Sequence, residues 1–197
     1  MLKRLFDIVF SLLGLILVSP ILLGLAILVK REDGGLVFYR GVRVGRHGKL
    51  FRIFKFRTMV VNAEKIGGTS TADDDPRITG IGKLMRKYKL DELPQLINVL
   101  NGEMSFVGPR PQVAWAVNLY TEEERKLLTV KPGITDYASI KFRNEAEILK
   151  GSANPDKDYL EKIAPEKLKL GLKYVENYSL WLDIKLIFAT FKAIFES

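Results

Sequence analysis

From Ile8 to Val29 no position carries a charge, a run of 22 residues. At about 1.5 Å per helical residue it matches the thickness of a bilayer core and predicts a membrane helix. A cleavable signal peptide has a shorter apolar part; here Asp7 interrupts the entry and no Ala-x-Ala-like site follows. Lys3 and Arg4 precede the run, and Lys30 and Arg31 follow it. Positive-inside bias therefore draws both ends to one side. Ser19-Pro20 stands at mid-run, where proline removes a helical hydrogen bond and crowds the carbonyl of Ile16, while a serine can satisfy a freed backbone group. A helix broken at Ser19-Pro20 that re-enters on its own side reconciles these features. An ordinary kinked span stays open on the residues alone.

Beyond Lys30 the pattern turns mixed, with no repeat, low-complexity tract or long linker, so residues 32–197 read as one domain behind a membrane segment at 1–31. Aromatics at Phe38, Tyr39, Phe51, Phe54 and Phe56 flank Gly45-Arg46-His47-Gly48, which predicts two short strands around a turn. Period-2 alternation places Lys55 and Arg57 on one face of the second strand, where two cations could meet one anion. Residues 62–80 read as a loop in which Asp73-Asp74-Asp75-Pro76 is turn chemistry before a cation site. Ile81 to Leu90 reads as an amphipathic helix with Ile81, Leu84, Met85 and Tyr88 on its apolar stripe and Lys83, Arg86, Lys87 and Lys89 outside it. Tyr178 to Phe195 reads as another, with Leu180, Trp181, Ile184, Ile187, Phe188, Phe191 and Phe195 prominent. It suits a membrane interface, although packing on the core would produce the same stripe.

Composition narrows the chemistry. The formal charge is +8, which suits a nucleic acid, an anionic membrane surface or a phosphorylated small molecule without choosing among them. The chain has no cysteine, and His47 is its one histidine. Thiol nucleophiles, zinc thiolate sites and disulfides are excluded, and Ser-His-Asp chemistry and two-histidine metal sites are disfavoured. Catalysis has to rest on carboxylates, Lys, Arg or hydroxyls.

Asp91-Glu92 supplies two adjacent carboxylates before Leu93-Pro94, and Gly102 suits the end of the following helix. Asp91 reads as an N-cap, near free amide groups that keep it ionised. An ionised Asp can attack phosphorus, and a neighbouring carboxylate can hold a divalent cation against a pyrophosphate; equally, most Asp residues before a helix merely cap it. Downstream, Arg110 lies between Pro109 and Pro111, where two fixed φ angles stiffen its backbone and could present its fork to phosphate oxygens, or simply build a rigid turn.

Taken in order, these pieces are specific. The apolar segment with Ser19-Pro20 leads, followed by Lys55-Phe56-Arg57-Thr58-Met59, Asp75-Pro76-Arg77-Ile78-Thr79 and Leu90-Asp91-Glu92-Leu93-Pro94-Gln95-Leu96. Asn98-Val99-Leu100, Met104-Ser105-Phe106-Val107-Gly108-Pro109-Arg110-Pro111 and Lys131-Pro132-Gly133-Ile134-Thr135 complete the series. Over most of its length the chain resembles the bacterial sugar transferases, the monotopic phosphoglycosyl transferases that start glycan assembly on polyprenyl (undecaprenyl) phosphate. The resemblance implies an α+β, mostly helical fold. It consists of a single cytoplasmic domain with a small β-hairpin, a re-entrant membrane helix broken at Ser19-Pro20, and interfacial amphipathic helices.

It implies further that Asp91 attacks the β-phosphate of a UDP-sugar, expels UMP and holds the phosphosugar until the polyprenyl phosphate takes it. Glu92, with Asp91, would bind Mg²⁺, and Arg86, Arg110, Lys55 and Arg57 would bind phosphates. The expected location is the bacterial inner membrane, with the catalytic domain on the cytoplasmic face. Expected partners are UDP-sugar, polyprenyl phosphate and membrane lipids, with no nucleic acid; a homo-oligomer is compatible with the sequence and unspecified by it. One departure stands out. After Thr135 the family usually continues with Gly and, soon after, Ala-Gln-Val, whereas this chain has Asp136-Tyr137-Ala138-Ser139-Ile140, which puts the sugar specificity in question. Two rival readings remain: a membrane-tethered module that binds nucleic acid or anionic lipid through the Leu36–Met59 hairpin, and a phosphatase with an aspartyl intermediate.

Overall fold

The computed structural model of the chain describes residues 1–68 and 70–195, without the side chains of Glu64, Ile194 and Phe195. The fold is mostly helical with small sheets. Helix α1 (Leu2–Asp33) is closed by Gly34 at φ 72°, whose N–H donates to the Lys30 carbonyl, and Lys30 and Arg31 in its last turn oppose the helix dipole. The interruption expected at Ser19-Pro20 is absent, because the backbone stays helical through Pro20. Proline offers no N–H to the Ile16 carbonyl, but the Ser19 hydroxyl donates to it at 2.8 Å, so that acceptor is satisfied inside the helix.

Only one narrow face of α1 is buried, at Asp7, Ser11, Leu25 and Val29, while Leu17 is 79% exposed. That face docks along its length on the rest of the chain. Arg4 donates to the carbonyls of Val99 and Leu100 at 2.6 and 2.7 Å. Asp7 accepts from the Ser105 hydroxyl and the Phe106 N–H. Near the far end Leu25 and Val29 share a core cluster with Phe56 and Met85, and Asp33 pairs with Arg57. Residues 1–31 are therefore built into the domain as well as preceding it, and both ends of α1 touch the same body.

The hairpin forms as two stacked pairs. β2 (Val42–Val44) and β3 (Leu50–Arg52) are antiparallel around a turn in which His47 and Gly48 take φ 57° and 76°. β1 (Phe38–Tyr39) and β4 (Lys55–Phe56) pair below them. The step between the pairs is stitched by Asn98 of α3 (Gln95–Asn101). Its side-chain oxygen accepts from the Phe54 N–H, and its amide donates to the Arg52 carbonyl and to Glu103. Asn98 is fully buried, so truncation would strand a buried backbone donor and acceptor. Asn98→Ala is expected to lose about 2–4 kcal/mol, read as a fall in Tm by differential scanning fluorimetry.

Helix α2 (Gly80–Lys87) is capped by the Thr79 hydroxyl, which accepts from the Gly82 N–H. It is shorter than the Ile81–Leu90 stripe suggests. Met85 is buried and Ile81 packs against the α1 cluster, but Leu84 and Tyr88 are about half exposed, because this two-turn surface helix meets α1 along one edge only. β5 (Ser105–Val107) and β6 (Gly133–Thr135) are parallel neighbours. The glycines make the close approach where they meet, since a Cβ on Gly133 would lie 2.1 Å from the Gly108 nitrogen. Short helices α4 (Ala114–Val117), α5 (Tyr137–Lys141), α6 (Glu145–Ile148) and α7 (Pro155–Asp158) lead to α8 (Ala164–Asn177) and α9 (Leu180–Phe195).

The apolar stripe of α9 divides in two. Leu182, Leu186 and Ile187 pack with Val107 and Tyr174, whereas Trp181, Phe188 and Phe191 are 66%, 70% and 58% exposed. The side chain of Phe195 lies outside the described residues. Asp183 is buried, accepts from the Tyr174 hydroxyl at 2.7 Å and pairs with Lys3, which ties the first turn of α1 to α9. Of the acids before Pro76, Asp75 does turn chemistry: it accepts from the Arg77 N–H and pairs with its guanidinium, while Asp74 accepts from the Gly151 N–H.

Candidate active site

After α2 the chain turns at Lys89, in the left-handed conformation at φ 55°, and Leu90–Glu92 form a single 3₁₀ turn before α3. Asp91 is thus one turn upstream of the helix it was expected to cap; Pro94 takes the N-cap place, without a side-chain cap. Gly102 ends α3 at φ 83°, as its type predicts. With no cap to make, the Asp91 carboxylate is held by a cation. Lys55 Nζ lies 3.2 Å from Asp91 Oδ2 and 2.9 Å from Glu92 Oε1, bridging the two acids. β4 carries Lys55 there because its neighbour Phe56 is buried in the core, so alternation turns Lys55 to the other face.

Arg110 closes the cluster from the opposite side. Gly108 and Pro109 follow β5 directly, and the rigid Pro109-Arg110-Pro111 segment presents the guanidinium so that both terminal nitrogens donate to the two Glu92 oxygens, Nη1 at 3.2 Å. Burial alone would raise the Glu92 carboxyl. The charges and hydrogen bonds of Arg110 and Lys55 overcome it and hold the group well below the ordinary glutamate range. Arg86 is pushed down by burial and partly restored by the charge of Asp91, and its Nε donates to the Thr58 hydroxyl at 2.9 Å. These residues line one cleft of about 1910 Å³ with Lys89 and Lys167.

The residues singled out from sequence thus come together with one exception. Lys55, Arg86, Asp91, Glu92 and Arg110 share the site. Arg57 lines the same cleft but does not join Lys55 on one anion: β4 ends at Phe56, and the Arg57 guanidinium is taken by Asp33 and by the carbonyls of Leu36 and Met59. Its place is that of a strap between the end of α1 and the hairpin. Lys167 and Glu145, ion-paired in the cleft wall, were not predicted, and no motif near either residue signals them. Among the described residues no group of three or more His, Asp or Glu is gathered for a metal. Asp91 and Glu92 offer hard oxygen donors that converge on one point, which the Lys55 ammonium fills.

The profile of the bacterial sugar transferase family matches residues 1–197. The chain belongs to that family. Among relatives of this sugar transferase, the undecaprenyl-phosphate galactose phosphotransferase of Salmonella typhimurium is 40% identical over 98% of this chain and 40% of its own. The UDP-glucose:undecaprenyl-phosphate glucose-1-phosphate transferase of Escherichia coli is 39% identical over 96% of this chain and 39% of its own. The exopolysaccharide production protein ExoY of Sinorhizobium fredii is 37% identical over 98% of this chain and 84% of its own. The sugar transferase chain therefore spans about two fifths of the first two relatives and most of the third.

Proposed function

We propose that the chain transfers a sugar 1-phosphate from a UDP-sugar to undecaprenyl phosphate, releasing UMP and starting the assembly of a cell-surface glycan. The observation that carries this reading is the pair of adjacent carboxylates, Asp91 and Glu92, set among Lys55, Arg86 and Arg110 in one open cleft. The Salmonella and E. coli relatives are both named for undecaprenyl phosphate, and the E. coli enzyme is also named for UDP-glucose, which supports this reading.

In the first half-reaction an Asp91 oxygen bonds to the β-phosphorus. The bond from that phosphorus to the bridging oxygen breaks, and UMP departs with the electron pair. In the second, a phosphate oxygen of undecaprenyl phosphate bonds to the same phosphorus and Asp91 leaves as the free carboxylate. Lys55 holds the Asp91 carboxylate in place, while Arg110 and Arg86 take phosphate oxygens. Glu92 and Asp91 would hold Mg²⁺, which when bound neutralises pyrophosphate charge. A phosphatase would use the same Asp91 but pass the phosphoryl group to water; retention of sugar phosphate on lipid separates the two. UMP release from a panel of UDP-sugars, each with undecaprenyl phosphate, tests the reading, and absence of release from every donor overturns it.

The exposed apolar face of α1 and the exposed aromatics of α9 support a chain seated in one leaflet of the inner membrane with its domain on the cytoplasmic side. Both ends of α1 dock on the domain, which favours a helix with both ends on one side of the membrane over a span. Impermeant labelling of cysteines introduced at residues 2 and 34 in intact cells is expected to leave both unlabelled; labelling of one alone would mean a true span.

A further inference from the structure

The last turn of α1 ends in two adjacent acids, Glu32 and Asp33, which the chemistry at Asp91 does not use. Each holds an element that carries a cation of the site. Asp33 takes the fork of Arg57, with Nη1 2.6 Å from Oδ2, and Arg57 stands two residues after Lys55. Glu32 Oε1 accepts from the Ile81 N–H at 3.1 Å in the first turn of α2, the helix that bears Arg86. One turn back, Val29 shares a core cluster with Phe56 and Met85, the chain neighbours of those same two cations. The two holds meet at Thr58. Its hydroxyl accepts from Arg86 Nε at 2.9 Å and its carbonyl from the Thr79 N–H at 3.0 Å.

We propose that Glu32 and Asp33 are positioning residues, which fix β4 and α2 to the end of the apolar helix and so set Lys55 and Arg86 in the cleft beside Asp91. The seating of α1 in lipid is thereby coupled to the geometry of the site, because a shift of its last turn carries both cations with it. The coupling is sensitive. A misplacement of about 1 Å, caused far from the reacting atoms, can cost about 10²-fold in rate.

Two other roles for the acids match less well. A purely stabilising role is weak for Asp33, whose side chain is 27% exposed, because water competes for both partners of such a pair. A gate that withholds Arg57 from phosphate would need an arginine with one partner to give up. Arg57 has three, since the carbonyls of Leu36 and Met59 accept from it as well. The chain also leaves room for the guanidinium at Gly35, where a Cβ would lie 2.9 Å from Arg57 Nη2.

The kinetic test rests on the UDP-sugar reading, and a second readout is independent of it. The full-length enzyme in nanodiscs is assayed for UMP release with undecaprenyl phosphate and the best donor of the UDP-sugar panel. Asp33→Ala and Glu32→Ala are each expected to lose about 10- to 100-fold in kcat, with little change in KM for the donor. The Tm of Asp33→Ala should stay near the wild-type value. Glu32→Gln, which keeps an oxygen for the Ile81 N–H, is expected to regain most of the loss. For the second readout, Lys55 is acetylated with an N-hydroxysuccinimide ester in the absence of substrate, and its peptide is followed by mass spectrometry. Acetylation is expected to be several-fold faster in Asp33→Ala, because an amine drawn off its two carboxylates is freer to react.

An unchanged or raised kcat in Asp33→Ala overturns the positioning role, leaves the transfer reading standing and gives Arg57 to the phosphates. A loss confined to KM, or a Glu32→Gln variant no better than Glu32→Ala, also overturns it. Where Asp33→Ala does not fold, Asp33→Asn carries the test: a fall in kcat is expected, and wild-type kcat overturns the role. No release from any donor by the wild type removes the transfer reading. The Lys55 rate then decides, and equal rates in wild type and the Asp33 variant overturn the positioning role.

Discussion

Asp91→Asn is expected to abolish UMP release, a fall of at least about 10³-fold in kcat, while leaving the fold intact. The amide is isosteric and can still lie against Lys55, so the substitution removes the nucleophilic charge and little else. Asp91 makes no backbone cap that the change could break. Two readouts are needed. Wild-type enzyme mixed with donor in the absence of lipid acceptor should gain the mass of one phosphosugar, and the peptide carrying residue 91 should bear it. The Asn variant should show neither adduct nor turnover. Full activity in the purified variant would remove the covalent mechanism, and an adduct on another residue would relocate it.

Arg110→Ala is expected to lower kcat/KM by about 10²- to 10³-fold and to move its acid limb to higher pH. The sign follows from Glu92, whose carboxyl is held well below the ordinary range by Arg110 and Lys55 against a burial that would raise it. Wild-type Glu92 therefore stays ionised as pH falls through the usual glutamate range, and its stabilising contribution is lost only as pH drops through the depressed folded value. Without Arg110 burial regains weight, Glu92 takes its proton at higher pH, and the site loses both a phosphate ligand and an ionised carboxylate. Arg110→Lys should fall between, because it keeps a charge but loses the two-pronged fork. A pH profile of kcat/KM for the three proteins decides the matter. An unmoved acid limb in Arg110→Ala would mean that Glu92 does not govern it.

The parts of this protein that one stretch of chain specifies by itself were legible in the sequence. The apolar run became a helix because its backbone hydrogen bonds close within the segment, and Gly34 and Gly102 ended their helices because left-handed caps favour glycine. The hairpin turn at residues 45–48 and the Asp75-Pro76 turn followed from local rules in the same way. The ordered motifs indicated the family, and five of the six charged residues singled out from sequence line one cleft close together.

What failed in the sequence reading involved partners distant in the chain. Arg57 has the right alternation to stand beside Lys55, yet Asp33 at the end of α1 captures it. Asp91 looked like a cap until Lys89 turned the chain one residue pair earlier. The α9 stripe suited a membrane interface with core packing left open, and the fold divides it: Lys3 and Tyr174 fix Asp183 inward and leave Trp181, Phe188 and Phe191 facing out.

The membrane helix shows the same division. Its existence, length and flanking charges are set by the apolar pattern from Ile8 to Val29, because desolvation of side chains is summed residue by residue. At Pro20 the Ser19 hydroxyl meets the Ile16 carbonyl within the same stretch of chain, whereas the attachment of the helix at both ends depends on Val99, Leu100, Ser105 and Arg57, which only folding brings alongside. The sequence by itself determined that this chain has an apolar anchor and an acidic pair suited to phosphorus. The tertiary structure alone decided which cations face that pair, since a Coulomb interaction depends on separation in space and not along the chain.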